Sequence, residues 1–189
     1  MPQSGISYTY KASLIGLAQQ FELTDDGLSW RIGEKKSVWP YSSIAAIGLS
    51  YRPVSMQSRR FRADIANRSG ERLAILSTTW QTIALMTPQD ESYRLFITAL
   101  HRRLAQHGSN VALSGGMRPL PYALSAGVLA IVALAIAGLL VRAITTGATA
   151  GALFLVACAA LFGWQIGGFM WRNKPGVYTL DALPKELLP

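Results

Sequence analysis

Two long uncharged segments restrict the fold of this chain more than any other feature. Residues 123–141 contain Ser125 as their only polar side chain, and residues 147–171 contain no charge over 25 residues. As helices that rise about 1.5 Å per residue, the two segments would be roughly 28 and 37 Å long. A membrane hydrocarbon core is about 30 Å thick. The pattern therefore predicts two transmembrane helices, over 122–142 and 147–171, joined by a turn at 143–146.

Basic side chains indicate how this pair would be oriented. Six of them flank the two segments, before the first or after the second: Arg102, Arg103, Arg118, Arg172, Lys174 and Lys185. The turn between the segments offers only Arg142. Because lysine and arginine collect on the cytoplasmic side, both termini are predicted to be cytoplasmic. The expected anchors at that interface are the amphipathic rings and the nearest basic residues: Tyr122, Trp171, Arg118, Arg172 and Lys174.

The rest of the chain has the composition of an ordinary folded domain. Only 15% of all residues are charged, but residues 1–110 carry 13 basic and 8 acidic side chains, a net charge of +5. A length of 189 residues leaves room for one such domain and excludes a large multidomain enzyme. The single cysteine, Cys158, excludes a disulfide-stapled fold and would be a small apolar side chain within the second segment.

Residues 9–107 show the patterns of several strands followed by one helix. Alternating or continuous apolar residues predict antiparallel strands over 28–32, 44–51, 60–65 and 73–76. The apolar spacing then becomes helical from Tyr93 to Leu104, with His101 assigned to the polar side. Thr87 is the predicted N-cap, Pro88 the first helical residue and Gly108 the stop.

Three shorter segments complete the predicted organisation. Residues 1–8 are expected to be a flexible N-terminus, and residues 108–121, rich in Gly, Ser, Asn and Pro, a linker into the membrane. Residues 172–189 form a cytoplasmic tail. Its apolar residues need cover, so we expect the tail to dock on the domain.

Two phrases and the closing helix resemble the bacterial pleckstrin-homology-like (PH-like) domains. The phrases are FELTDDGLSWRI at 21–32 and VWPYSSIAAIGL at 38–49, and the helix covers 92–106. The resemblance implies an α+β fold, a bent antiparallel β-barrel capped by one C-terminal helix, followed here by a two-helix transmembrane hairpin. The tail RNKPGVYTLDALPKELLP is similar to the ending of a group of small bacterial two-span proteins with no known activity. These resemblances imply a bacterial inner membrane, with the turn at 143–146 in the periplasm.

The PH-like resemblance brings no lipid site with it. In eukaryotic lipid-binding members, a basic loop between the first two strands grips inositol phosphates. The corresponding turn here is expected to be Thr24 to Gly27, which contains Asp25 and Asp26 and is acidic. Phosphoinositide recognition is therefore not expected.

The most basic stretch of the chain has two interpretations. It contains six arginines: Arg52, Arg59, Arg60, Arg62, Arg68 and Arg72. They could form a patch that contacts anionic headgroups, where each near-surface charge contributes about 1 kcal/mol. Alternatively they are a solvated strand face and its loops, paired with Asp64 or Glu71 at little gain in stability. Nucleic acid is not an expected partner, because the net charge is modest and Phe61 alternates toward the core.

Small residues are the most informative feature of the predicted spans. Gly147 and Gly151, and then Gly163 and Gly167, repeat at four-residue spacing on the second span. Such spacing favours close helix packing in lipid, either between the two spans or with a second protein. Gln165 is the candidate for a hydrogen bond between helices.

The sequence contains no phosphate-binding loop, no nucleophile elbow and no metal-binding spacing. We therefore expect no catalytic activity, no cofactor and no metal. The expected function is a scaffold or accessory subunit of a membrane protein complex, with a protein partner or a second copy of the chain. The alternative is a sensor of anionic headgroups. Transport is a weaker option, because no ionisable residue lies in the middle of either span.

Overall fold

Alternation of buried and exposed side chains builds a four-stranded antiparallel sheet from the first part of the chain. Its strands, in sheet order, are β1 (Ile6–Tyr10), β2 (Gln19–Leu23), β3 (Leu28–Ile32) and β4 (Lys35–Trp39). The computed structural model describes residues 5–54, 59–82 and 86–189. For residues 6–8, β1 corrects the prediction of a flexible N-terminus over 1–8, and residues 1–4 of that prediction lie outside the described residues. Tyr8 and Tyr10 are buried in the core, and this burial holds the strand in place.

The turn between β2 and β3 has the predicted position. The Thr24 hydroxyl donates a hydrogen bond to the Gly27 carbonyl at 2.9 Å. Gly27 has a φ of 150°, and a side chain there would collide with the Trp39 backbone. Only glycine therefore fits this position.

A second sheet contains the longest strands of the domain. These are β5 (Ile44–Tyr51), β6 (Phe61–Asn67) and β7 (Arg72–Leu76), paired antiparallel in sequence order. Beyond β7, a two-stranded sheet pairs β8 (Thr78–Trp80) with β9 (Met86–Pro88). The strands predicted at 28–32, 44–51, 60–65 and 73–76 are confirmed, with ends that differ by two residues or fewer.

Helix α1 (Asp90–Gln106) contributes an apolar face to the core of the domain. The buried residues on that face are Tyr93, Phe96, Ile97, Leu100, His101 and Leu104. The predicted start at Pro88 is wrong, because Pro88 ends β9 and Gln89 takes the N-cap position. The helix stops before Gly108, whose φ is 58°, as predicted.

Within the described residues, the sheets do not close into the predicted bent β-barrel. The edge strands β1 and β7 are joined by side chains instead of a backbone ladder. The Tyr8 hydroxyl donates to the Leu76 carbonyl at 2.6 Å, and the Tyr10 hydroxyl donates to the Ala74 carbonyl. A backbone hydrogen-bond ladder needs strands about 4.8 Å apart. Here tyrosine side chains bridge β1 and β7 in place of that close approach. The α+β class is confirmed.

Two short strands were missed in the predicted linker and tail. β10 (Ala112–Gly115) pairs parallel with β5, and β11 (Gly176–Val177) pairs antiparallel with β10. The second sheet therefore has the order β11-β10-β5-β6-β7. Residues 112–115 correct the linker prediction for 108–121, because Leu113 lies opposite Ile47 and is buried.

Tail docking on the domain is confirmed. Leu187 is 4% exposed and belongs to the hydrophobic core, and Tyr178, Leu180 and Leu183 pack against that core. Residues Met1–Gly116 and Gly176–Pro189 accordingly form one unit, and Met117–Pro175 forms a second.

The second unit consists of α2 (Pro119–Thr145) and α3 (Thr149–Arg172). Both helices are long and apolar enough to cross a membrane. α2 extends three residues beyond each end of the predicted 122–142, whereas α3 begins two residues later and ends one residue later than the predicted 147–171. The turn therefore lies at 146–148 and not at 143–146. The Thr145 and Thr146 hydroxyls donate to the Arg142 carbonyl and prolong the helical pattern. Gly147, with a φ of 72°, makes the turn and does not lie on α3.

Candidate functional site

Three arginines lie together where β5 and β6 are connected. Arg52 follows the end of β5, and Arg59 and Arg60 precede β6. The Arg52 amide donates to the Arg60 carbonyl at 2.7 Å, and the Arg60 Nε donates to the Arg52 carbonyl at 3.2 Å. These bonds hold the two strand ends side by side. We call Arg52, Arg59 and Arg60 the sheet-end arginines.

Arg62 differs from these three because it has an acidic partner. It lies on the outer face of β6, two residues before Asp64, and its Nη2 approaches the Asp64 Oδ1 to 2.6 Å. That hydrogen bond raises the pKa of Arg62. Burial, and then the like charges of Arg62 and Arg52, lower the pKa of Arg60. Among the described residues, no acidic side chain forms an ion pair with the sheet-end arginines.

The structure separates the other two arginines of the predicted cluster from this site. Arg68 lies in the turn after β6 and Arg72 opens β7, at the opposite end of the sheet. Between the two groups, β6 is extended over the six steps from Phe61 to Asn67, which corresponds to about 20 Å. The six arginines therefore form two groups. Contact with anionic headgroups stays a prediction for both.

The sheet-end arginines lie at the end of the second sheet from which the chain leaves for α2 and to which it returns after α3. β10 runs parallel to β5, so its last residue, Gly115, lies opposite Leu49 near the end of β5. The Gly116 amide donates to the Leu49 carbonyl at 2.8 Å. Gly176, the first residue of β11, is paired with Gly115. Both connections to the helical pair therefore start from the end of the sheet that carries Arg52.

The loop between the first two strands differs from the expected one. Thr24 to Gly27 connects β2 to β3, so the comparison of this turn with the inositol-phosphate loop was wrong. The missed strand β1 caused this error. The loop between β1 and β2 spans residues 11–18, has Lys11 as its only charge and exposes Ile15 fully. In the β2–β3 turn, Asp25 is paired with Arg103 at 2.8 Å.

A histidine inside the domain holds the returning tail. His101 is 1% exposed, contrary to its predicted place on the polar side of α1. Its Nδ1 lies 2.8 Å from the Ile97 carbonyl, and its Nε2 lies 3.0 Å from the Tyr178 hydroxyl. A carbonyl can only accept, so Nδ1 carries the proton and Nε2 accepts from Tyr178. Burial lowers the pKa of His101 and keeps the ring neutral.

The helical pair presents its small residues to open space. Among the described residues, and leaving aside the adjacent backbone of α3 itself, a Cβ added at Gly163 or Gly167 would meet no atom within 4 Å, and at Gly151 it would touch only Ala148 at 3.9 Å. Gln165 between them is half-buried. Packing of α2 against α3 therefore does not explain these glycines.

The predicted interface anchors lie at the helix ends that connect to the domain. Arg118 precedes α2 and Tyr122 lies in its first turn, while Trp171 and Arg172 end α3 and Lys174 follows. The Trp171 ring is 68% exposed. Their roles at a membrane interface stay a prediction.

The described residues offer no metal centre, since no three His, Cys, Asp or Glu side chains come together there. Comparison with known proteins found no similar family model, no similar curated protein and no similar solved structure. Fold, contacts and charge are therefore the only basis for a functional proposal.

Proposed function

We propose that this chain is an integral protein of the bacterial inner membrane that holds a folded domain at the cytoplasmic surface. The main support is the pairing of Gly115 with Gly176. The segments before α2 and after α3 belong to one folded unit, so they must lie on the same side of a membrane. Two spans satisfy this condition. The basic residues at those ends then select the cytoplasmic side.

Labelling of single cysteines tests this orientation. In a Cys158→Ala background, Thr146→Cys in the turn is expected to react with a membrane-impermeant maleimide in intact spheroplasts. Ser69→Cys, exposed on the domain, should react only after the membrane is disrupted. Reaction of Ser69→Cys in intact spheroplasts, or release of the protein by alkaline carbonate, would contradict the proposal.

We further propose that the domain is PH-like. A four-stranded antiparallel sheet precedes a second sheet, and one helix follows β9 and packs its apolar face into the core. The two phrases that carry the resemblance lie at the turn before β3 and at the start of β5. This arrangement supports the resemblance, although no ladder closes a barrel.

The proposed role is that of a non-catalytic scaffold or accessory subunit. A domain tied to both ends of a membrane hairpin stays at the bilayer and can present its surface to other proteins there. Purification of the tagged full chain in mild detergent, followed by mass spectrometry, tests this role. We expect a protein at fixed stoichiometry that the same tag on an unrelated two-span protein does not retain. Recovery of the chain alone, in repeated purifications, would contradict a scaffold role.

The partner within the membrane is proposed to be a second copy of the chain or another helix. Gly163 and Gly167 support this, because a Cβ added at either position would meet no described atom outside the local helix backbone within 4 Å. Without side chains, they would allow another helix to approach closely. The Gln165 amide lies between them and could bond across that contact.

The alternative role, sensing of anionic headgroups, is favoured by one observation. The segment from Arg52 to Arg62 contains no acidic residue, so the charge of the sheet-end arginines is not neutralised locally.

A further inference from the structure

We propose that the sheet-end arginines, Arg52, Arg59 and Arg60, bind the anionic headgroups of the membrane leaflet on the domain's side of the bilayer that α2 and α3 cross. This inference rests on the proposed membrane anchoring. Lipid contact is thereby assigned to the end of the domain that carries these three arginines, and not to the end that carries Arg68 and Arg72.

The length of the chain connections supports this assignment. Four residue steps separate Gly115 from Pro119, the first residue of α2, and four separate Arg172 from Gly176. Fully extended, each connection reaches at most about 14 Å. Each connection therefore limits the distance between the end of the sheet and the helix end that it joins to about 14 Å.

Strand geometry places the sheet-end arginines at that end. Arg52 follows Leu49 by three residues, about 10 Å along an extended chain. Arg68, by contrast, lies beyond the other end of β6, whose six extended steps span about 20 Å. The Debye length is about 8 Å at physiological ionic strength, so the opposite end would experience little of the surface potential.

The electrostatics explain why an anionic surface is the partner that fits. Arg52 and Arg59 are exposed, and Arg60 is half-buried between like charges. The nearest acidic side chain in sequence, Asp64, is already bound by Arg62. Headgroup phosphates would supply the missing negative charge, and a surface is held within reach by the anchors themselves. An acidic protein would first have to be recruited.

Fluorescence quenching in nanodiscs tests the proposal with the full chain. In a Cys158→Ala background, a fluorophore is attached at Val54→Cys, two residues from Arg52, or at Ser69→Cys beside Arg68. Discs of neutral phosphatidylcholine are compared with discs that contain phosphatidylglycerol, both with a quencher on the lipid headgroup. The matched variants are Arg52→Gln/Arg59→Gln and Arg68→Gln/Arg72→Gln, each of which removes two exposed charges.

We expect stronger quenching at position 54 in anionic discs than in neutral ones, and no such difference at position 69. Two near-surface charges correspond to about 2 kcal/mol, so Arg52→Gln/Arg59→Gln should weaken the contact roughly 30-fold. The Arg68→Gln/Arg72→Gln variant should leave it unchanged, and 1 M salt should abolish it.

Equal quenching at position 54 in neutral and anionic discs would overturn the proposal, and so would equal loss in both double variants. Failure of the chain to enter nanodiscs would instead overturn the membrane anchoring on which the proposal rests. Circular dichroism of each variant excludes misfolding as the cause of a lost signal.

Discussion

Leu187 should control whether the tail stays docked on the domain. The residue is 4% exposed, and its Cδ1 lies 2.9 Å from the position that a Cβ on Gly115 would occupy. Leu187→Ala removes most of a buried side chain near the end of the chain. Such truncations cost about 2–5 kcal/mol in protein cores. A loss of about 2.8 kcal/mol corresponds to a 100-fold increase in the undocked population.

Limited proteolysis of the full chain in detergent measures that population. Lys185 lies two residues before Leu187 and is itself exposed. A protease must bind the chain around the cleaved bond in an extended form, so a lysine-specific protease should cut there mainly when the tail is undocked. Cleavage follows the equilibrium population of the open form when closing is fast. We expect roughly 100-fold faster cleavage of Leu187→Ala after Lys185. The matched control is Val177→Ala, at a residue that is 88% exposed, which should change the rate less than about threefold. Equal rates in wild type and Leu187→Ala would refute the role given to Leu187.

Two further predictions concern His101 and the glycines of α3. Because burial lowers the pKa of His101 below its ordinary value, the unfolded state takes up a proton first as the pH falls below about 6.5. The free energy of unfolding in urea should therefore be constant above that pH and decrease below it. His101→Gln should flatten this decrease, and the control His107→Gln should leave it intact. Gly163→Leu/Gly167→Leu should reduce the assembly size in detergent, measured by light scattering. Gly127→Leu/Gly138→Leu on α2, also free of neighbours within 4 Å, is the control, and an unchanged size in the first variant would contradict packing through α3.

Sequence reasoning found the features whose signals are long or strongly periodic. Absence of charge located α2 and α3, and alternation located β3, β5, β6 and β7. β1 also alternates, with Tyr8 and Tyr10 on one face, but its position near the N-terminus hid it. That omission gave the wrong loop for comparison with lipid-binding relatives.

The missed parts of the candidate site depend on contacts between distant residues. β10 and β11 are four and two residues long, too short for a periodic pattern, and they exist because β5 offers a free edge. His101 follows Ile97 by one turn and precedes Leu104 by three residues, so its buried position was readable from helical spacing. Its hydrogen bond to Tyr178 could not be predicted from helical spacing, because the two residues are 77 positions apart. Likewise, six arginines close in sequence are divided because an extended strand separates them.

The order of the chain implies that membrane insertion stabilises the domain. The helical pair, Met117–Pro175, is inserted between two parts of one folded unit, so docking of the tail closes a loop of 59 residues. Once the helices pair in a membrane, only the short connections remain flexible, on the order of 8 residues in effective length. Closure entropy scales as (3/2)RT ln n, so the formed hairpin should favour docking by about 1.8 kcal/mol. Replacing residues 117–175 with a flexible Gly/Ser linker of the same length should weaken docking by that amount, relative to a linker of 8 residues. Urea unfolding of the two proteins measures the difference. Equal stability would show that loop length does not affect docking of the tail, which would contradict the stabilisation inferred for the hairpin.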